Sequence, residues 1–243
     1  MNLEISCDLG EASTDEEALV ERALWPLVDA ANVACGGHAG DRESMRAAVA
    51  LAARHGVVLG AHPSFPDRAG FGRRRIEIEP SDLRVALARQ VGELREIATN
   101  GGVLLRRIKP HGALYNEAHH DRELARIVVD AALDSAPRSA LVAAPGSALL
   151  EEARRRGLDV VREAFADRRY RSDGSLVPRS EPGSLLLDFA EAAGQAARLA
   201  ATGTVLAEDG SEVRIEADTL CVHGDMPGSA ERVRAIRAAL AGR

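Results

Sequence analysis

Short runs of Val, Ile, Leu and Ala alternate along this chain with longer amphipathic stretches. Seven runs read as strands, at residues 3–8, 29–35, 57–62, 104–109, 140–144, 159–165 and 219–223. The stretches between them carry helix signals. Thr14 and Glu17 form a capping box ahead of Leu19. Asp41 caps a helix bearing Met45, Val49 and Ala52, which stops at Gly56. Ser81 follows Pro80 and opens a helix with Leu83, Leu87, Val91 and Leu94 on one side, ending near Gly101-Gly102. Asp121 and Ser147 cap two more, and a last helix from about Ser229 carries Val233, Ile236 and Leu240. Repeated β–α alternation predicts a mostly parallel sheet covered by helices. The polar residues fall at the ends of many different strands, and no G-x-G-x-x-G follows the first strand. Both features favour an irregular TIM-like (β/α) barrel of about seven parallel strands over an open nucleotide-binding sheet. Residues 166–183 read as a functional loop, and 205–215 as a surface hairpin.

At 243 residues the chain suits one barrel domain spanning 1–243. Apolar residues are 46% and charged residues 28%, which excludes disorder and a disulfide scaffold. No apolar run is long enough for a bilayer. Met1-Asn2-Leu3-Glu4 carries no basic, then apolar, leader pattern, and there are only three cysteines, so a cytoplasmic setting is expected. The net charge of −6, with no basic block longer than Arg73-Arg74-Arg75, argues against nucleic acid as a partner. One bias is informative. Thirty of the 31 basic residues are Arg and one is Lys109. A Lys retained against that background marks a place where a compact ammonium is needed.

Five segments concentrate the chemistry. Asp8 closes the first strand and Glu11 follows three residues on, a spacing that can split acid and base roles. Asn32 leads into Cys35-Gly36-Gly37-His38-Ala39-Gly40-Asp41, a Gly-rich turn that runs into a helix start. His62 ends the third strand and is held extended by Pro63, while Gly70-Phe71-Gly72-Arg73-Arg74 offers guanidinium groups for a carboxylate. Arg75 reads as a solvated surface charge. Lys109-Pro110-His111-Gly112-Ala113-Leu114-Tyr115-Asn116 sets an ammonium, an imidazole, a phenol and an amide within eight residues, with Lys109 and His111 on one side. Last, His223 and Asp225 have the spacing for a carboxylate to orient an imidazole, and the long loop adds Asp167, Arg168 and Arg179.

Four of the seven histidines (His38, His62, His111 and His223) occupy strand–loop junctions, and Asp8 occupies a fifth. A divalent metal, if the chain holds one, would lie among these five, although no H-E-x-x-H or C-x-x-C is present. His55 reads as a helix-end residue, and His119 and His120 as ordinary exposed ones. Cys7, Cys35 and Cys221 read as small packing residues.

Together these motifs resemble the LamB/YcsF family, the A subunit of prokaryotic ATP-dependent 5-oxoprolinase. The resemblance spans nearly the whole chain and rests on Asp8-Leu9-Gly10-Glu11, Asn32-Val33-Ala34-Cys35, His38-Ala39-Gly40-Asp41, Ala61-His62-Pro63, Gly70–Arg74, Lys109–Asn116, Phe165–Arg168, Leu176–Arg179 and Leu220–Asp225. It implies an irregular barrel similar to the polysaccharide deacetylase superfamily. It also implies ring opening of 5-oxo-L-proline to L-glutamate, with ATP and Mg²⁺ handled together with subunits B and C. This chain has no Walker A motif, which fits activation by those partners. In that scheme Asp8, His62, Lys109, His111 and His223 are catalytic. Asp8 or His111 would serve as base, and Lys109 and His62 would stabilise the developing charge. Glu11, Asn32, His38, Arg73, Tyr115, Asn116, Asp167, Arg168, Arg179 and Asp225 would surround the substrate, with Arg73 or Arg179 on its carboxylate. Two local departures from the family stand out: Ala12-Ser13-Thr14 shortens the loop after Glu11, and Gly37 stands where a bulky aromatic is common. A metal-dependent deacetylase-like hydrolase and a non-catalytic regulatory subunit share the same features.

Overall fold

The computed structural model describes residues 3–179, 181–226 and 228–242, so Met1 and Asn2 of the leader reading lie outside it. Its chain order is β1 (Glu4–Leu9), α1 (Asp15–Leu24), β2 (Ala30–Ala34), α2 (Arg42–His55), β3 (Val58–His62), α3 (Pro80–Asn100), β4 (Leu105–Ile108), α4 (Gly112–Glu117), α5 (Arg122–Ser135), β5 (Ala140–Ala143), α6 (Ala148–Arg155), β6 (Val160–Phe165), α7 (Phe189–Thr202), β7 (Thr204–Leu206), β8 (Glu212–Arg214), β9 (Thr219–Val222) and α8 (Ser229–Ala241). Strands β1-β2-β3-β4-β5-β6-β9 close a barrel in which every pairing is parallel. The seven expected strands are the seven barrel strands, and β7–β8 is the expected hairpin.

Helix starts follow local chemistry. The Thr14–Glu17 capping box is formed, Asp41 accepts from Glu43 and Ser44 backbone N–H groups, and Asp121 and Ser147 cap α5 and α6. The expected start of α3 shifts: Pro80 is its first residue and Glu79 its cap, so Ser81 lies inside the first turn. Helices α4 and α7 were not expected. Leu83, Leu87, Val91 and Leu94 form the buried stripe of α3. Among the described residues no helix is long and apolar enough to cross a membrane.

Alternation along a strand sends residues two apart to one side. Asp8, His62, Lys109, Glu163 and Phe165 thereby reach the C-terminal mouth and border one cavity. The loop after β6 is tied down there. Tyr170 bridges to Leu176 and to Ala207 beside the hairpin, and its hydroxyl accepts from the Phe165 N–H at 2.8 Å.

Candidate active site

A cavity of about 670 Å³ opens at the barrel mouth. Lys109 lies at its floor, 3% exposed. Its Nζ donates to both Asp8 oxygens at 2.9 Å and to Cys221 Sγ at 3.2 Å, and it lies 3.0 Å from Glu163 Oε1. Asn32 Nδ2 donates to Asp8 Oδ1 at 2.9 Å. Burial alone would lower the Lys109 pKa. Asp8, Cys221 and Glu163 reverse that and hold the Lys109 pKa well above the ordinary value. Burial likewise pushes Asp8 up, but His62 and Lys109 win and keep it well below the carboxylate range. Glu163 goes the other way, since burial lifts it against the pull of Lys109. Both Glu163 oxygens and the Tyr115 hydroxyl are buried without a well-directed hydrogen bond.

Beside this group stand three imidazoles. His62 Nδ1 donates to the Lys109 carbonyl at 2.7 Å, and His111 Nε2 donates to the Phe71 carbonyl at 3.0 Å. Each carbonyl fixes a tautomer and leaves the other ring nitrogen facing inward. Those two nitrogens, His62 Nε2 and His111 Nδ1, face each other at 3.0 Å. Glu11 Oε1 lies 2.9 Å from His38 Nε2, 3.3 Å from His111 Nδ1 and 3.7 Å from His62 Nε2. Burial lowers the His38 pKa to about 4 and lowers that of His111, so both rings are neutral at pH 7. Burial acts the same way on His62, but Asp8 overrides it and raises the value.

The Gly70-Phe71-Gly72 turn presses on this cluster. Gly72 has φ +61°, and a Cβ there would come within 3.1 Å of His111, His38 and Ser64. His38 stacks on His111 with ring centroids 3.6 Å apart. Gly37 also has a local reason. A side chain at that position would collide with Gln90, whose amide bonds the Ser64 backbone through both its nitrogen and its oxygen.

Across the mouth, the Asp167 carboxylate accepts from the His223 N–H and Nδ1, both at 2.8 Å. Burial works to raise Asp167, but His223 overcomes it and leaves the value below the ordinary one. His223 Nε2 has no hydrogen-bond partner among the described residues. At the rim Asp225 pairs with Arg73 and Arg179, each at 3.2 Å. Arg168 is buried with its Nε unpaired, and burial together with nearby Arg179 lowers its pKa. The arginine rim is thus electropositive and suited to an anion.

Several placements differ from expectation. Asn32, His38 and Asp167 do not border the cavity; each sits behind the wall and braces a residue that does (Asp8, Glu11 and His223 respectively). Asp225 does not orient His223, because Asp167 takes that position and Asp225 is drawn to the arginines. His223 and Asp8 lie outside the compact group of possible metal ligands, which includes Glu11 instead. His119 and His120 both border the cavity, and His119 is half-buried. Asn116 and Tyr115 border it, Arg75 is a surface residue paired with Glu117 and Asp121, and the three cysteines are buried and free. Glu163 was missed. Its signal was available: an acid in the middle of an apolar strand, two residues before Phe165 and so on the same face.

The fold and site define a seven-stranded (β/α) barrel whose mouth gathers ionisable groups from many strand ends, the build of a small-molecule site. The chain belongs to the LamB/YcsF family, whose model matches residues 3–243. A protein from Thermus thermophilus, named as the A subunit of 5-oxoprolinase, is 45% identical over 99% of this chain and 96% of its own length. One of the same name from Heliobacterium modesticaldum is 42% identical over 99% and 94%. A solved structure described as a lactam utilization protein, also from Thermus thermophilus, superposes with a TM-score of 0.91 at 43% identity, over 99% of this chain and 96% of that one.

Proposed function

We propose that this chain is the A subunit of an ATP-dependent 5-oxoprolinase and that the lactam ring opens in its barrel mouth. One observation carries this reading. In a chain that matches, over 99% of its residues, a protein bearing the name of that A subunit, a buried ammonium, a carboxylate-oriented imidazole and two rim arginines surround one cavity. A lactam carbonyl is a poor electrophile. Phosphorylation of its oxygen by ATP, with Mg²⁺ on partner subunits B and C, makes it reactive. In this reading water then adds to the carbonyl carbon. His223 Nε2 takes the proton from that water, with Asp167 holding the ring. His223 returns that proton to the ring nitrogen, and the adduct's hydroxyl proton follows as the C–N bond breaks. A second water then displaces inorganic phosphate from the resulting γ-glutamyl phosphate to give L-glutamate. Lys109 stabilises charge on the carbonyl oxygen. Asp8 is a weaker choice of base than His223, because three donor contacts hold its carboxylate. Arg179 or Arg73 holds the substrate carboxylate in exchange for Asp225. A cytosolic setting belongs to this reading, supported by three free, buried cysteines.

The test is glutamate formation from 5-oxoproline by this chain mixed with B and C homologues, with and without ATP. ATP-dependent turnover that needs all three chains is expected. Turnover without ATP would instead favour the deacetylase-like alternative, and none under any condition would sink the reading. Arg179→Ala is expected to raise KM about 10- to 100-fold with little change in kcat, the loss of one charge-assisted hydrogen bond. Initial rates against 5-oxoproline concentration check it.

A further inference from the structure

We propose that Glu11, His38, His62 and His111 bind one divalent first-row transition-metal ion. Each presents one ligand atom, and these atoms all lie within 4.8 Å of one another. Two donors about 2.1 Å from a common ion sit about 3.0–3.4 Å apart, for right-angle to tetrahedral geometry. The separations of Glu11 Oε1 from the three imidazole nitrogens, 2.9, 3.3 and 3.7 Å, bracket that span, and the His62–His111 nitrogen pair at 3.0 Å falls in it.

The hydrogen bonding points the same way. The carbonyls of Lys109 and Phe71 already take one N–H from His62 and from His111. In their neutral forms the two rings then aim bare lone pairs at each other, which repel unless a cation lies between them. His38 is nine-tenths and more buried, and its Nδ1 has no partner. With its proton on Nε2 the ring donates to Glu11 and leaves Nδ1 unsatisfied. With the proton on Nδ1, the Nε2 lone pair meets a carboxylate. A positive ion at the Glu11 side removes the conflict at Nε2 in the second arrangement, in which the Nδ1 N–H still meets no acceptor among the described residues. Charge also favours it, because Asp8 and Glu11 face the cluster from β1 and the loop after it, and Lys109 supplies one positive charge from the end of β4.

Three imidazoles and one carboxylate suit Zn²⁺, Co²⁺, Mn²⁺ or Fe²⁺ rather than Mg²⁺ or Ca²⁺, which prefer all-oxygen shells. The Mg²⁺ that accompanies ATP would therefore not fill this site. When bound, such an ion supplies Lewis-acid chemistry beside the cavity. The alternative occupant of the same space is a proton shared by the rings, and the experiment separates the two.

The full chain, freed of any histidine tag, is analysed by elemental mass spectrometry, then stripped with chelator and titrated with Zn²⁺ and Co²⁺ by calorimetry. One ion per chain is expected, with visible Co²⁺ ligand-field bands and a higher Tm on loading. Glu11→Gln and His111→Ala should each weaken binding at least 10-fold with unchanged circular dichroism, while His223→Ala, across the mouth, should still bind one ion. Substoichiometric binding, binding that survives both substitutions, or Mg²⁺ binding as tightly as Zn²⁺ overturns the proposal. If either variant fails to fold, the wild-type Co²⁺ spectrum decides: no ligand-field bands, with an imidazolium at His62 by nitrogen NMR, overturns it. The site belongs to the mouth in which ring opening is proposed, and only the purpose of the ion rests on that reading. Ion binding and ATP-dependent glutamate formation are measured apart, so either can fail alone.

Discussion

Replacing Lys109 with methionine is expected to abolish ATP-dependent glutamate formation and to destabilise the barrel. The ammonium holds Asp8 and Glu163 at 2.9 and 3.0 Å at the cavity floor, where Lys109 and Glu163 are buried. Its removal leaves Glu163 buried without a cation and takes one of the partners of Asp8, which costs about 3–5 kcal/mol. Loss of the charge that meets the carbonyl oxygen lowers turnover about 100- to 1000-fold or more. Urea unfolding and single-turnover assays of the reconstituted enzyme check the two effects. The double variant Lys109→Met with Glu163→Gln separates them. Neutralising Glu163 should return part of the stability and none of the turnover. Recovery of both would reduce Lys109 to a structural ion-pair partner. Lys109→Arg is expected to fail as well, because the wider guanidinium does not fit between Asp8, Glu163 and Cys221.

Asp167→Asn is the second large effect expected, a loss of about 100- to 10,000-fold in kcat. Asp167 accepts both the backbone N–H and Nδ1 of His223, and an amide cannot accept both through one oxygen with the same geometry. The imidazole is then free to take its other tautomer, with the proton on the nitrogen that faces the cavity. A pH–rate profile whose acidic limb moves while KM holds would support positioning of His223. An equal loss at every pH with a lowered Tm would make Asp167 structural only. Stability should follow a defined sign. Because the folded pKa of Asp167 is depressed, its contribution is fully present above the unfolded carboxyl value of about 3.9. It is lost as pH falls through the lower folded value. Urea midpoints of wild type and Asp167→Asn should therefore differ at pH 7 and converge toward pH 2.

The barrel was legible because its strands are Val-, Ile- and Leu-rich runs set off by strong caps, so each β–α unit announces both of its ends. Helix α7 was not, since half of Phe189–Thr202 is alanine, with Gly194 inside, and alanine marks neither a buried nor an exposed face. Helix α4 is six residues long and lies within the Lys109–Asn116 motif, too short to show a period. At the site, strand alternation foretold that Lys109 and His111 share the mouth. Pairings across the fold had no local signal. His223 and Asp167 are 56 residues apart, whereas the tempting partner Asp225 is two residues away and turns to Arg73 and Arg179. The distinction between residues that touch the cavity and those that brace them, such as Asn32 and His38, also depends on packing depth, which motifs do not encode.

Phe71 is the sole non-glycine residue with positive φ, at 53°, among the described residues. Its ring lies edge-on to His38 and His111 while its carbonyl takes the His111 proton. A glycine there would relax the backbone by about 1 kcal/mol or more, yet strip the imidazoles of their apolar screen. Substitution at position 71 thus sets ease of folding against a dry imidazole cluster. Homologues that drift to glycine should be sturdier and slower.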